Sequence, residues 1–130
     1  MECSECDGVA VAYPVPDQYR SLLPEATPGA ATCTRCLAIQ PVTDPPDDHP
    51  DYQRISEAFP SDPDAAVPMA IALGLLSSLA LNRQAITDLL AAVERAGSDP
   101  MLVVSRLVDD TTVDPHVDLV GRRRQLEQLR

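Results

Sequence analysis

The chain has 130 residues, enough for one compact domain or for a small module joined to a somewhat larger one. Hydrophobic residues make up 45%, which excludes disorder throughout, while aromatic residues make up only 3%, so the core is expected to be built from Leu, Val, Ile and Ala. The formal net charge of −10 argues against a general nucleic-acid binder.

Residues 1–42 hold all four cysteines. Cys3-Ser4-Glu5-Cys6-Asp7-Gly8 reads as a tight turn, and residues 9–13 as a short strand ended by Pro14 and Pro16. Asp17 is placed to cap a short helix through Leu23. Pro28-Gly29 is a turn signal. Cys33-Thr34-Arg35-Cys36 is a second tight turn, and residues 37–42 read as the strand leaving it. Residues 43–50 carry three prolines and three aspartates, the composition of a stiff, solvated linker.

Residues 51–130 read as helical. A short helix is expected over 51–59, with Tyr52, Ile55 and Phe59 along one side. Asp62-Pro63 is a start signal, an oxygen cap followed by Pro at the first helical position. The helix it opens is apolar on most sides and is expected to be central, running to about Leu81. Ile86, Leu89, Leu90 and Val93 then define an amphipathic helix closed by Gly97. Asp99-Pro100 and Asp114-Pro115 repeat the start signal, opening one helix to about Val108 and a last one to the C-terminus. Residues 65–81 contain no charge, but seventeen residues at ~1.5 Å each fall short of a hydrocarbon core of ~30 Å. No aromatic belt flanks them, so a buried helix is expected and no membrane span. The N-terminus is acidic and lacks a basic segment before an apolar run, which points to the cytoplasm.

The paired thiols carry the strongest chemistry. In Cys3-x2-Cys6 and Cys33-x2-Cys36, two intervening residues let both sulfurs of a turn face one centre. Two such turns supply a tetrahedron of thiolates, which suits one Zn2+ and leaves no position for water. The site is therefore expected to be structural. In a reducing compartment a metal is preferred over disulfides, of which three pairings are conceivable. A rubredoxin-like iron site also uses two such turns; it is less favoured because a second glycine and a dense aromatic core are missing. Gly8 is expected to give the first turn a permissive backbone, whereas Leu37-Ala38 stands at that point of the second. A ribbon of ~40 residues buries too little apolar surface to fold alone, so metal binding becomes folding free energy.

On these turns, residues 1–42 resemble the zinc-ribbon group, treble-clef variants included. The whole chain is similar to a small, functionally uncharacterised haloarchaeal family with a four-cysteine ribbon and an Ala/Leu-rich helical region. That likeness rests on both cysteine turns, on residues 65–81, and on the Asp-Pro-punctuated end with Arg122-Arg123-Arg124-Gln125-Leu126. It implies a fold and no activity.

The charge pattern agrees with such a source. All ten cationic side chains are Arg, and Asp outnumbers Glu among the twenty acids. At ~1 M salt the Debye length is ~3 Å, so a crowded acidic surface is tolerated there and repels itself in dilute buffer. Arg122, Arg123 and Arg124 form the one basic cluster. It is read as favourable charge placement against the last helix's dipole, with contact to phosphate or an acidic partner as the sharper alternative. His49 and His116 are expected to be exposed, His116 in the first turn of the last helix. Asp44, Asp47, Asp48 and Asp51 lack the glycine and terminal glutamate of a calcium loop and read as solvated.

The expected architecture is α+β, mostly α: a zinc ribbon over 1–42, an acidic Pro-rich linker over 43–50, and a small helical bundle over 51–130. The expected function is a non-catalytic adaptor working by protein–protein contact, with a homodimer as one form of it. The alternative is a nucleic-acid-associated regulator using the ribbon and Arg122 to Arg124. An enzyme is not expected, since no nucleophile–base pair is visible.

Overall fold

The computed structural model describes residues 1–129. Three antiparallel strands, β1 (Ala10–Pro14), β2 (Gly29–Cys33) and β3 (Ile39–Val42), form a sheet in the order β1-β2-β3. A one-turn helix α1 (Asp17–Arg20) lies between β1 and β2. After a 3-10 turn, Tyr52–Arg54, come α2 (Pro63–Leu75), α3 (Arg83–Arg95), α4 (Pro100–Asp109) and α5 (Leu119–Gln128). The expected mixed, mainly helical class with its cysteines in the strand region is what the chain adopts.

The sheet alternates its two faces in the usual period of two. Val11 and Tyr13 of β1, with Ala30 of β2, join the core built by the helices. Ala10, Ala31 and Val42 form a separate small cluster on the other face, with Ala12 beside it. The register Val11↔Thr32 and Tyr13↔Ala30 places Thr32 on the helix side, where its hydroxyl and the Tyr13 hydroxyl meet at 2.7 Å. β2 is the strand the sequence pattern does not announce. Its residues are Gly-Ala-Ala-Thr-Cys, and all five are buried.

Sheet and helices share one apolar core. Gly74 of α2 lies so close to β3 that a Cβ there would sit 2.4 Å from Ile39 Cγ2. Tyr13 and Tyr52 meet edge to face at 5.6 Å between ring centroids. The expectation of an aliphatic core needs correcting: Tyr13, Tyr52 and Phe59 are all fully buried. Tyr13 stands opposite the small Ala30 of β2, and its ring is met by that of Tyr52. Pro45 packs on β2, since a Cβ on Gly29 would come within 2.3 Å of it.

The helix signals are realised unequally. Asp62 and Asp99 cap α2 and α4 through the N–H groups of Asp64 and of Met101 and Leu102, each followed by Pro at the first position. Gly97 (φ 96°) ends α3 in a Schellman arrangement, with its N–H on Glu94 O and that of Ser98 on Val93 O. α2 stops at Leu75, short of Leu81, passing into a 3-10 turn, Leu76–Ser78. Asn82 then marks the break and α3 begins at Arg83. Residues 51–59 make one 3-10 turn rather than a helix, although Tyr52, Ile55 and Phe59 are buried as the spacing implies. Pro16, not Asp17, occupies the cap position of α1, and Asp17 pairs with Arg20 at 2.5 Å. Asp114-Pro115 opens no helix; α5 begins at Leu119, capped by Asp118 on Gly121 N–H. Among the described residues no helix is long and apolar enough to cross a membrane.

Candidate metal centre

The two cysteine turns are built alike. In the first, Cys3 N–H donates to Gly8 O at 2.7 Å and Asp7 N–H to Cys3 O at 3.1 Å. In the second, Cys33 N–H donates to Ala38 O at 3.0 Å and Leu37 N–H to Cys33 O at 3.1 Å. Asp7 (φ 62°) and Leu37 (φ 64°) take the same left-handed conformation directly after the second cysteine of each turn. The permissive backbone thus falls one residue before Gly8, which corrects the reading of that glycine. Gly8 is there for space: its Cβ would lie 3.1 Å from Cys33 Sγ and 3.2 Å from Cys6 Sγ. Leu37 bears the left-handed strain, of ~1–2 kcal/mol, with its side chain buried in the helical core.

β1, β2 and β3 bring the two turns face to face. Cys3 Sγ lies 3.6 Å from Cys36 Sγ, and Cys6 Sγ 3.4 Å from Cys33 Sγ. All four sulfurs lie within 4.8 Å of one another. A thiolate tetrahedron with Zn–S near 2.3 Å has edges of ~3.8 Å, so the set fits a single ion. A disulfide needs sulfurs at ~2.05 Å, and all four cysteines are free. Cys3, Cys33 and Cys36 are buried, and Cys6 is half-buried.

Backbone donors converge on the sulfurs. Glu5 N–H reaches Cys3 Sγ and Arg35 N–H reaches Cys33 Sγ, both at 3.3 Å, and Cys36 N–H reaches Cys33 Sγ at 3.4 Å. Burial raises the Cys33 thiol, but the Cys36 and Arg35 N–H groups and the Cys6 thiol outweigh it and bring it down to about 7. Burial pushes the Cys36 thiol well up. The Gly8 N–H favours a Cys6 thiolate, yet crowding by Cys33 together with burial leaves that thiol raised. Four thiolates at this spacing repel one another, so only a bound cation lets all of them ionise together.

Two supports around the turns escaped the sequence reading. The Gln40 amide clamps the N-terminus to β3, accepting from Ser4 N–H at 3.0 Å and donating to Glu2 O at 3.2 Å. Its signal was faint: a polar residue on the face of β3 away from the helices. Residues 114–116 reach the second turn from the far end of the chain, with Asp114 N–H on Arg35 O at 2.6 Å and His116 N–H on Cys36 O at 2.8 Å. Hence His116 is half-buried outside any helix, its Nε2 3.2 Å from Leu73 O, instead of exposed in a first turn. His49 is exposed as expected, with Nδ1 2.6 Å from the Tyr52 hydroxyl.

A family model described as "Family of unknown function (DUF6276)" matches residues 2–130. The chain belongs to that family. No curated protein and no solved structure matches it.

The remaining candidates stay apart from this centre. Asp44, Asp47, Asp48 and Asp51 are exposed, and none joins a metal-competent cluster among the described residues. Arg122, Arg123 and Arg124 lie in the first two turns of α5, not its last, so the helix dipole does not account for them. Arg122 donates to Gln125 Oε1 at 2.7 Å and Arg123 pairs with Glu127 at 3.4 Å. Arg123 and Arg124 are exposed, and Arg122 is half-buried.

Proposed function

We propose that the four cysteines hold one structural zinc ion and that the chain is a non-catalytic interaction module of a salt-loaded cytoplasm. The observation that carries this reading is the convergence of four sulfurs, three of them buried, within 4.8 Å. Such a donor set fills a tetrahedral ion and leaves no site for a reacting water. Zinc is preferred to iron because the second turn carries Leu37 and Ala38, with no glycine, around its sulfurs. The metal fixes the ribbon, and the ribbon presents a rigid surface to a protein partner. The nucleic-acid alternative gains little, since Arg122 and Arg123 already have partners within α5 and the chain is strongly acidic.

The test joins metal analysis to affinity purification in molar KCl. One zinc per chain is expected, with a co-purifying protein that Cys36→Ser loses along with the metal. A metal-free chain, or a zinc-loaded monomer that retains no protein, overturns the reading. The acidic, Lys-free surface adds an expectation about salt. Far-UV circular dichroism should fall as KCl drops from molar to millimolar, because screening at ~3 Å gives way to self-repulsion. An unchanged spectrum defeats the salt-adapted part.

A further inference from the structure

The second cysteine turn does more than hold sulfur. Its Arg35 and Cys36 carbonyls are both taken by N–H groups from about eighty residues downstream, those of Asp114 and His116. The donors belong to the irregular segment between α4 and α5. That segment is pinned at its start, where Ser56 Oγ donates to Asp110 Oδ2 at 2.7 Å. In its middle, His116 Nε2 adds a contact to Leu73 O at the end of α2. Beyond it, α5 has a narrow seat. Leu119 and Leu126 are its buried side chains. Clefts of about 460 and 260 Å3, both lined by Arg122 and Gln125, run beside it.

The position of α5 therefore depends on a strap hooked to carbonyls whose placement follows the cysteine turn. That turn is held against strain at Leu37, whose left-handed conformation L residues adopt at a cost. Without a cation to tie the two cysteine turns together, the second turn is free to relax. The carbonyls of residues 35 and 36 then lose their aim.

We propose that metal occupancy of the four-cysteine centre latches residues 110–129: with the ion bound, the strap holds α5 against α4, and with the ion removed, α5 detaches and bares Leu119, Leu126 and the Arg122–Arg124 run. The proposal rests on the reading of the cysteines as a metal centre. It makes an Arg-bearing helix available in one metal state and withholds it in the other. Removal of the metal is thus read out at both ends of the sequence.

Hydrogen exchange by mass spectrometry tests this on the full chain in molar KCl, zinc-loaded and after chelation. Peptides over 119–128 should exchange at least about tenfold faster after chelation, while those of α2 and α3 keep their protection. Unchanged exchange in α5, or its loss only together with α2 and α3, overturns the latch. A second variant works with the metal in place. Asp114→Pro deletes the donor to Arg35 and touches no ligand, so it should keep one zinc and still release α5. Wild-type protection of α5 in that variant also overturns the latch. A chain that takes up no zinc sinks the metal centre itself, whereas zinc uptake with an unmoved α5 sinks the latch alone.

Discussion

β2 and α2 are both deeply buried, yet they contribute very differently. β2 is buried at every position with Gly-Ala-Ala-Thr-Cys. α2 is buried at ten of thirteen positions and brings Val67, Met69, Ile71, Leu73 and Leu75. At ~25 cal/mol per Å2, small side chains yield little on burial, whereas a large aliphatic one yields ~1.5–3 kcal/mol. α3 adds Ile86, Leu89, Leu90 and Val93, all buried on the face its periodicity foretells. The helices thus hold themselves by packing. β2 brings too little for that, and a metal held by the cysteines would supply what its small side chains do not.

The sharpest way to break this contrast is to remove a ligand. Cys36→Ser should empty the centre, and structural zinc contributes ~10–16 kcal/mol in small zinc domains, as much as a whole domain's stability. Residues 1–42 should lose dispersed amide resonances in a two-dimensional NMR spectrum while α2, α3 and α4 keep theirs. Preserved dispersion in β1 and β2 would show that packing alone holds the sheet, and the contrast would fail.

Leu37 belongs to both regions, since its backbone shapes the turn and its side chain enters the helical core. Truncation to Ala should cost ~2–5 kcal/mol by denaturant unfolding. Truncation to Gly removes one carbon more but relieves the left-handed strain, so it should be the milder change by ~1 kcal/mol. A Gly variant less stable than the Ala variant would mean that φ at this position carries no strain.

Gly74 sharpens the contrast from the other side of the seam. Within a helix, Gly→Ala ordinarily stabilises by ~0.5–1 kcal/mol. Here the new Cβ would meet Ile39 Cγ2 at 2.4 Å and Ile39 Cβ at 2.6 Å. Gly74→Ala should instead destabilise by ~1–3 kcal/mol, because α2 must back away from β3. A raised melting temperature would refute the close approach.

Much of this was legible in the sequence because local chemistry decided it. The two cysteine pairs, the Asp-Pro starts at 62 and 99, the Gly97 stop and the α3 stripe all act within a turn or two of themselves. What was not legible is decided by distant parts of the chain. β2 has no strand-forming side chains beyond Thr32, and its partners on both sides make it a strand. Asp114-Pro115 has the letters of a helix start, but the Asp114 and His116 N–H groups are claimed by the Arg35 and Cys36 carbonyls. At the centre, the sequence picked out the four cysteines that converge but not the reason for Gly8, the Gln40 clamp or the reach of residue 116.

Asp110 gives the smallest effect, at the pinned start of that reach. The Thr112 hydroxyl, the Ser56 hydroxyl and the Thr112 N–H, in that order, hold its carboxyl below the ordinary carboxylate range. A depressed folded value means that the carboxylate stabilises the fold above the unfolded pKa of ~3.9 and ceases to do so as pH falls through the folded value. Asp110→Asn should lower stability at neutral pH by on the order of 0.5 kcal/mol, kept small by solvent screening. The gap between the two chains should then close as pH falls below ~4. Any metal lost in acid would be lost from both chains alike, and the difference between their urea midpoints cancels it. A gap that stayed constant with pH would show that Ser56 and Thr112 hold Asp110 by shape alone, and that the strap starts from packing rather than charge.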